Sequence, residues 1–351
     1  MNANFLLYGA NGYTGELIAR FAVQQGLRPI LATRNSQKVA PLAAELGLDY
    51  RAFALDNEQA IDSALADIAV VLNCAGPFSQ TSAPMVAGCL RSQAHYLDIT
   101  GEINVFEEVA SQDKLAKTTG VMLLPGVGFD VVPSDCLAAH LKGRLPSATR
   151  LTLGFQALGR ISRGTAATMV EAQHQGGKIR RDGVITPVAA AFKTRSIDFG
   201  QGKVEAVTIP WGDVATAFYS TGIPNIEIYA VFPASTRILA IASRYVSWLL
   251  KLPAVQNLQK QLIQNQPPGP SAIERAEGKS YLWGEVEDSS GKRLSSLLQC
   301  PEGYTLTTLT ALKIVQKVLA GNYTCGFQTP SKVYGADFIL EFPGVVREDI
   351  E

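Results

Sequence analysis

The chain has 351 residues, 47% of them apolar and 18% charged, which suits a globular protein of one large domain or two modest ones. Lysines plus arginines number 31 and so do aspartates plus glutamates, so no overall field recruits nucleic acid or an anionic membrane. Cys74, Cys89, Cys136, Cys300 and Cys325 show no Cys-x-x-Cys spacing and the chain has only three histidines, which argues against a metal site or disulfide framework and for a reducing compartment.

The first strand is expected almost at once, leaving no room for a signal peptide, and no uncharged apolar run suffices for a membrane span, so a cytoplasmic protein, soluble or membrane-peripheral, is expected. Apolar runs over 5–8, 29–33, 50–55, 68–74, 95–99 and 121–125 predict six strands. Helical stretches lie between them, for example over 13–25, 41–46, 84–92 and 105–118. Short continuous apolar strands alternating with helices imply βαβ units, hence an α/β fold with a Rossmann-type doubly wound parallel sheet over 1–150.

From Leu151 the texture changes. R-L-T-L-G-F-Q, K-V-E-A-V-T-I-P-W and I-E-I-Y-A-V-F are strand-like and bounded by Gly and Pro, with few helices between them. They predict a second, mixed sheet-rich α+β domain over 151–300 for substrate or dimerisation. The 301–351 segment is expected to return to the first domain through a helix over 304–320.

Gly9, Gly12 and Gly15 form G-x-x-G-x-x-G between the first strand and the first helix. One glycine serves the tight turn, one lets backbone approach a pyrophosphate, and one lets helix and strand pack closely, while the helix N-terminus faces the anion. Asn11, Tyr13 and Thr14 lie in the same loop. The second strand ends in Thr33-Arg34-Asn35, where an acid would bind the ribose 2′-hydroxyl of NAD and an arginine accommodates the 2′-phosphate of NADP. NADP is therefore the expected cofactor. Asn73, Ala75, Gly76, Pro77 and Phe78, at the end of the fourth strand, are expected to flank it at the switch-point crevice.

Y-G-A-N-G-Y-T-G (8–15), N-C-A-G-P-F (73–78), H-Y-L-D-I-T-G-E (95–102), G-F-D-V-V-P-S-D (128–135) and S-R-G-T-A-A-T-M (162–169) together resemble the saccharopine dehydrogenase-like oxidoreductases, in particular their trans-acting enoyl reductase branch. The resemblance is strongest over the first 170 residues. It implies a Rossmann domain, a second mixed domain and nicotinamide-dependent redox chemistry, without implying saccharopine as substrate.

Four places offer groups for that chemistry. Tyr96 and Asp98 share a face of the fifth strand, followed by Thr100 and Glu102, the latter a substrate-binding candidate. Asp130 lies in the loop after the sixth strand, where Ser134 or Asp135 is expected to cap a helix starting near Cys136. In 160–181, Thr165 is a candidate helix cap, Arg160 and Arg163 would meet an anionic substrate group or serve as structural ion pairs, and His174 is a candidate acid–base group. In 208–225, Trp211 and Tyr219 are read as pocket walls or as a buried aromatic corner of the sheet, with Asp213 and Thr216 as polar handles.

The 235–252 segment places Arg237, Arg244 and Lys251 seven residues apart on a narrow polar strip with Thr236, Ser243 and Ser247, opposite a broad apolar helix face. This pattern fits a membrane interface, a homodimer contact, an acyl-chain tunnel or an ordinary helix covering a sheet. The reading that results is an NADP(H)-dependent oxidoreductase reducing a C=C or C=N bond of an apolar or carrier-bound substrate. Its rivals are a non-catalytic dinucleotide-sensing or membrane-docked protein and a saccharopine-type amino-acid dehydrogenase.

Overall fold

The computed structural model describes residues 4–157, 159–173, 176–237, 241 and 252–350. His174 and most of the 235–252 stripe lie outside them. Among the described residues, no helix is long and apolar enough to cross a membrane. The chain divides into two compact units, Met1–Val132 with Leu306–Val333, and Pro133–Thr305 with Tyr334–Glu351. The first division lies after Val132, and the segment 301–351 is shared between the units.

The first unit begins β1 (Asn4–Tyr8), α1 (Tyr13–Gln24), β2 (Ile30–Thr33), α2 (Ser36–Leu46), β3 (Tyr50–Ala52), α3 (Glu58–Leu65) and β4 (Ile68–Asn73). It continues with α4 (Phe78–Ser92), β5 (His95–Asp98), α5 (Ile103–Ser111), α6 (Asp113–Thr119) and β6 (Met122–Leu124). Phe5, Leu6, Leu7, Val70, Val71, Leu72, Leu123 and Leu124 are all buried, as strands covered on both faces require. A seventh strand, β15 (Gly326–Phe327), pairs parallel to β6 and completes the order β15-β6-β5-β4-β1-β2-β3. The Phe327 N–H donates to Asp113 Oδ1 at 2.9 Å, fixing this short strand to α6. All pairings in the sheet are parallel. Register aligns Ala32, Tyr8, Asn73 and Asp98 across neighbouring strands at their carboxyl ends.

The strand order reverses between β1 and β4, where an open α/β sheet offers a ligand crevice. Several predicted helices start earlier or are divided. α2 begins at Ser36 with the Asn35 side chain as its cap, α4 runs through Pro84, and the single expected helix over 105–118 is α5 and α6. The long helix Gly303–Leu319 begins at the unit division, and its portion from Leu306 belongs to the first unit. There Thr310 Oγ1 donates to the Val127 carbonyl at 2.8 Å, and the Phe129 N–H donates to Thr307 Oγ1 at 3.0 Å.

The second unit is built on a nine-stranded mixed sheet. Its central path joins β10 (Thr194–Asp198), β11 (Lys203–Thr208), β12 (Asn225–Val231), β7 (Ala148–Ala157), β13 (Lys279–Asp288), β14 (Arg293–Pro301) and β16 (Val346–Ile350). The hairpin β8 (Gly177–Arg181) and β9 (Val184–Val188) joins through β12. β12 and β7 run parallel and the other neighbours antiparallel. The unit holds more helix than its β-branched texture suggests: α7 (Val132–Arg144) enters it from the division, followed by α8 (Arg163–Ala172) and α9 (Asp213–Thr221). α9 occupies the stretch read as an aromatic corner. It ends at Gly222, whose φ of 68° is the left-handed helix stop.

Candidate functional site

The glycine turn is where the sheet order reverses. Gly9 has φ 82°, and a Cβ there would stand 2.7 Å from the backbone nitrogen of Ala75, so only glycine lets the β1 turn lie against the loop after β4. Its N–H donates to the Ala32 carbonyl at 2.8 Å, tying the turn to β2 as well. A Cβ at Gly15 would meet the Gly9 carbonyl oxygen at 2.3 Å, so the start of α1 packs directly on the turn.

Gly12 differs from both. Its φ of −81° is ordinary, and the nearest atom to an added Cβ is the Gly9 oxygen at 3.3 Å. It is the N-cap of α1 and, having no side chain, donates no capping group. The turn therefore presents a helix N-terminus with its positive dipole end and an exposed glycine, which fits a pyrophosphate. Asn11 is exposed beside it, and Tyr13 and Thr14 are half-buried in the first turn of α1.

At the end of β2, Thr33 is buried and Arg34 is exposed, with no hydrogen bond or ion pair to it among the described residues. No acid stands at this strand end. Asn35 spends its side-chain oxygen on the Gln37 N–H at 2.9 Å, so its part here is to start α2 and set the loop that carries Arg34. These residues fit a dinucleotide with an additional ribose phosphate.

A second group of residues joins the ends of β4, β5 and β6. Asp98 Oδ2 accepts from Tyr96 Oη at 2.8 Å, and Asp98 Oδ1 accepts from the N–H groups of Thr100 and Gly126, each at 2.9 Å. Asn73 Nδ2 donates to Tyr96 Oη at 3.3 Å and to Thr81 Oγ1 at 3.2 Å, while its Oδ1 accepts from the Ala75 N–H at 3.0 Å. Tyr96, Asp98 and Asn73 are fully buried. Burial pushes the Asp98 carboxyl up to about 6 against the opposing pull of its N–H and hydroxyl donors, and burial likewise drives the Tyr96 hydroxyl well above its ordinary value.

The shared face expected for Tyr96 and Asp98 is present, but neither side chain is open to a reacting molecule. Together with Asn73, their hydrogen bonds join the loops that follow β4, β5 and β6. Ala75, Pro77 and Phe78 are half-buried and Gly76 exposed in the first of those loops, whose Gly76–Pro77 peptide is cis.

Glu102 has a task that local sequence did not signal. Its Oε1 and Oε2 accept the N–H groups of Phe78 at 2.7 Å and Ser79 at 3.1 Å. It thereby caps α4, whose own N-cap is Pro77 and supplies no side-chain bond. Asp130 is the acid that remains near the surface of this group. It is half-buried against Gly101, where a Cβ would come within 2.8 Å of Asp130 Oδ2, and burial raises its carboxyl to about 7.

Candidates in the second unit are engaged by their own chain. Ser162, not Thr165, caps α8, accepting from the Thr165 N–H at 3.2 Å, and the Ser162 N–H donates to Tyr304 Oη at 2.6 Å. Arg163 donates to the Gln266 carbonyl at 2.5 Å rather than to a carboxylate, and Arg160 pairs with Glu274 at 3.7 Å. Trp211 is half-buried with its ring 5.3 Å from that of Phe155. Asp213 and Thr216 are buried in α9, and Ser134 Oγ donates to Asp213 Oδ2 at 2.9 Å from within α7, which begins at Val132, ahead of the expected cap.

Comparison with known proteins agrees with this geometry. Residues 5–124 match the saccharopine dehydrogenase NADP binding domain family. A Mycobacterium tuberculosis protein named as a trans-acting enoyl reductase is 30% identical over 184 residues, covering 48% of this chain and 43% of that protein. A trans-acting enoyl reductase of Mycobacterium leprae is 32% identical over 150 residues, covering 40% of this chain and 36% of that one. The chain thus spans less than half the length of these relatives. Apo saccharopine dehydrogenase (L-Glu forming) from Saccharomyces cerevisiae has the same fold, with a TM-score of 0.69, 11% identity, and coverage of 99% of this chain and 100% of that one. Residues 5–124 are thus similar to the saccharopine dehydrogenase NADP binding domain, the whole chain shares the fold of saccharopine dehydrogenase, and part of its sequence is similar to trans-acting enoyl reductases.

Proposed function

We propose that the chain is an NADP(H)-dependent oxidoreductase that reduces a C=C or C=N bond in an apolar, acyl-type or carrier-bound substrate. The observation that carries this reading is the arrangement along the carboxyl ends of one parallel sheet of an uncapped glycine turn at the switch point, an exposed Arg34 in place of an acid after β2, and Asp130 against Gly101 after β5. The names of the sequence relatives support the reduction of an enoyl group.

Gly9, Gly12 and Gly15 with the start of α1 hold the pyrophosphate, and Arg34 holds the 2′-phosphate through its guanidinium fork. Ala75, Gly76, Pro77 and Phe78 line the crevice farther along, in a loop anchored by Asn73 and Glu102. Bound there, the nicotinamide supplies the hydride. Asp130, protonated below about 7, holds the proton that the reduced substrate requires.

Titration with NADPH and NADH tests the cofactor half of this reading. NADPH is expected to bind at least about tenfold more tightly, and Arg34→Ala to lose that preference, a change of about 1.4 kcal/mol. Equal affinity for both dinucleotides overturns the role of Arg34. Consumption of NADPH with enoyl thioesters and with imines then distinguishes the two bond types, and activity with neither overturns the reductase assignment.

A further inference from the structure

The chain as a whole is neutral, yet one cavity is not. On the sheet of the second unit lies a cavity of about 610 Å³, within the range of small-molecule sites. Six cations and three carboxylates line it, an excess of three positive charges.

The two signs occupy different depths. Neighbouring strands β12, β7 and β13 place Glu227, Thr152 and Glu285 in one row, and Arg150 and Glu287 pair in the next. Glu287 is 17% exposed and holds both Arg150 and Arg293, each at 2.9 Å, which are themselves 65% and 59% exposed. Glu285 holds Arg195 at 2.7 Å, and Glu227 holds Lys193 at 2.5 Å while accepting from Tyr229 Oη at 2.8 Å. For these four cations the carboxylates lie below and the charged nitrogens toward the mouth, each held by its carboxylate.

Arg195 is also steadied by the Trp283 ring, 4.7 Å from its guanidinium carbon. Arg180 is buried deeper, donating to the Val214 and Gly183 carbonyls. Arg181 lies exposed at the rim on β8, with no ion pair among the described residues. Two arginines sharing one carboxylate keep unused N–H donors, and a concave site concentrates the field of the excess charge.

We propose that this cavity binds a small polyanion of the diphosphate class, at a site separate from the dinucleotide turn. Guanidinium forks match phosphate oxygens two at a time, and a group bearing several charges on adjacent phosphates matches an excess of three. The concavity and limited volume favour a small molecule over an extended macromolecular surface.

The test is calorimetric titration of the full-length chain with inorganic pyrophosphate, with citrate as a carboxylate polyanion of comparable charge. Pyrophosphate is expected to bind more tightly than citrate and to weaken by about tenfold or more in Arg181→Glu and in Arg293→Ala. Arg34→Ala, at the dinucleotide turn, is expected to leave it unchanged. Both rim side chains are exposed, and removing Arg181 orphans no carboxylate, so thermal melts of the variants should match the parent. Absence of binding, affinity untouched by the rim variants, or loss in Arg34→Ala instead overturns the proposal. Citrate binding as tightly as pyrophosphate overturns its assignment to phosphate.

Discussion

A methyl group at Gly15 would collide with the Gly9 carbonyl, whereas one at Gly12 would sit on ordinary backbone near the same atom. Gly15→Ala is accordingly expected to lower stability by about 1–3 kcal/mol in urea denaturation. Gly12→Ala should keep most of the stability and weaken NADPH by about tenfold, because the methyl group enters the anion's space. Unimpaired NADPH binding by Gly12→Ala would show that the start of α1 is not the cradle.

Asp130 gives a pH signature whose sign follows from its burial. Its carboxyl is raised from 3.8 to about 7, so the folded chain holds this proton after the unfolded chain has released it. Its contribution to stability is full below 3.8 and declines as pH rises toward about 7. The stability difference between the parent and Asp130→Asn should change over that interval and flatten above it. Reduction that draws its proton from Asp130 should slow as pH rises through about 7, a limb that Asp130→Asn loses. The glycine spacing and Arg34 were legible because they are local patterns beside one strand. The burial of Asp98 was not, since its partner Gly126 lies 28 residues away and only the fold brings the two together.

At the scale of elements, α4 depends on a borrowed cap. Glu102→Ala removes the side-chain acceptor from two N–H groups and is expected to cost about 1–2 kcal/mol, measured as a lowered urea midpoint without cofactor. Glu102→Gln should recover part of that loss. An unchanged midpoint in Glu102→Ala would mean that water replaces the carboxylate. This bond spans 24 residues and has no local signature, whereas strands such as β4 were legible because both faces are buried. α3 escaped the reading because only Ile61, Ala64 and Leu65 of its eight residues are buried. α9 was obscured by its aromatic residues, although Gly222 marks its end.

At the scale of the molecule, neither unit is a continuous stretch of chain. Residues 1–132 contain six strands of the parallel sheet and the glycine turn, but they lack β15 and the helix that anchors the Val127–Phe129 loop. Expressed alone, 1–132 is expected to associate through the open edge of β6 and to bind NADPH weakly. Co-expression with 306–333 should restore monodisperse behaviour and affinity in size exclusion and titration. The two-residue β15 was the part of this sheet least legible in sequence, because so short a strand shows no alternation. Its position also sets an order in time. On the ribosome, the edge of β6 emerges about two hundred residues before its partner does, so the parallel sheet reaches its final form only after that interval of synthesis. Until then the nascent chain carries a nearly finished sheet with one side open, the stage at which a chaperone would have most to cover.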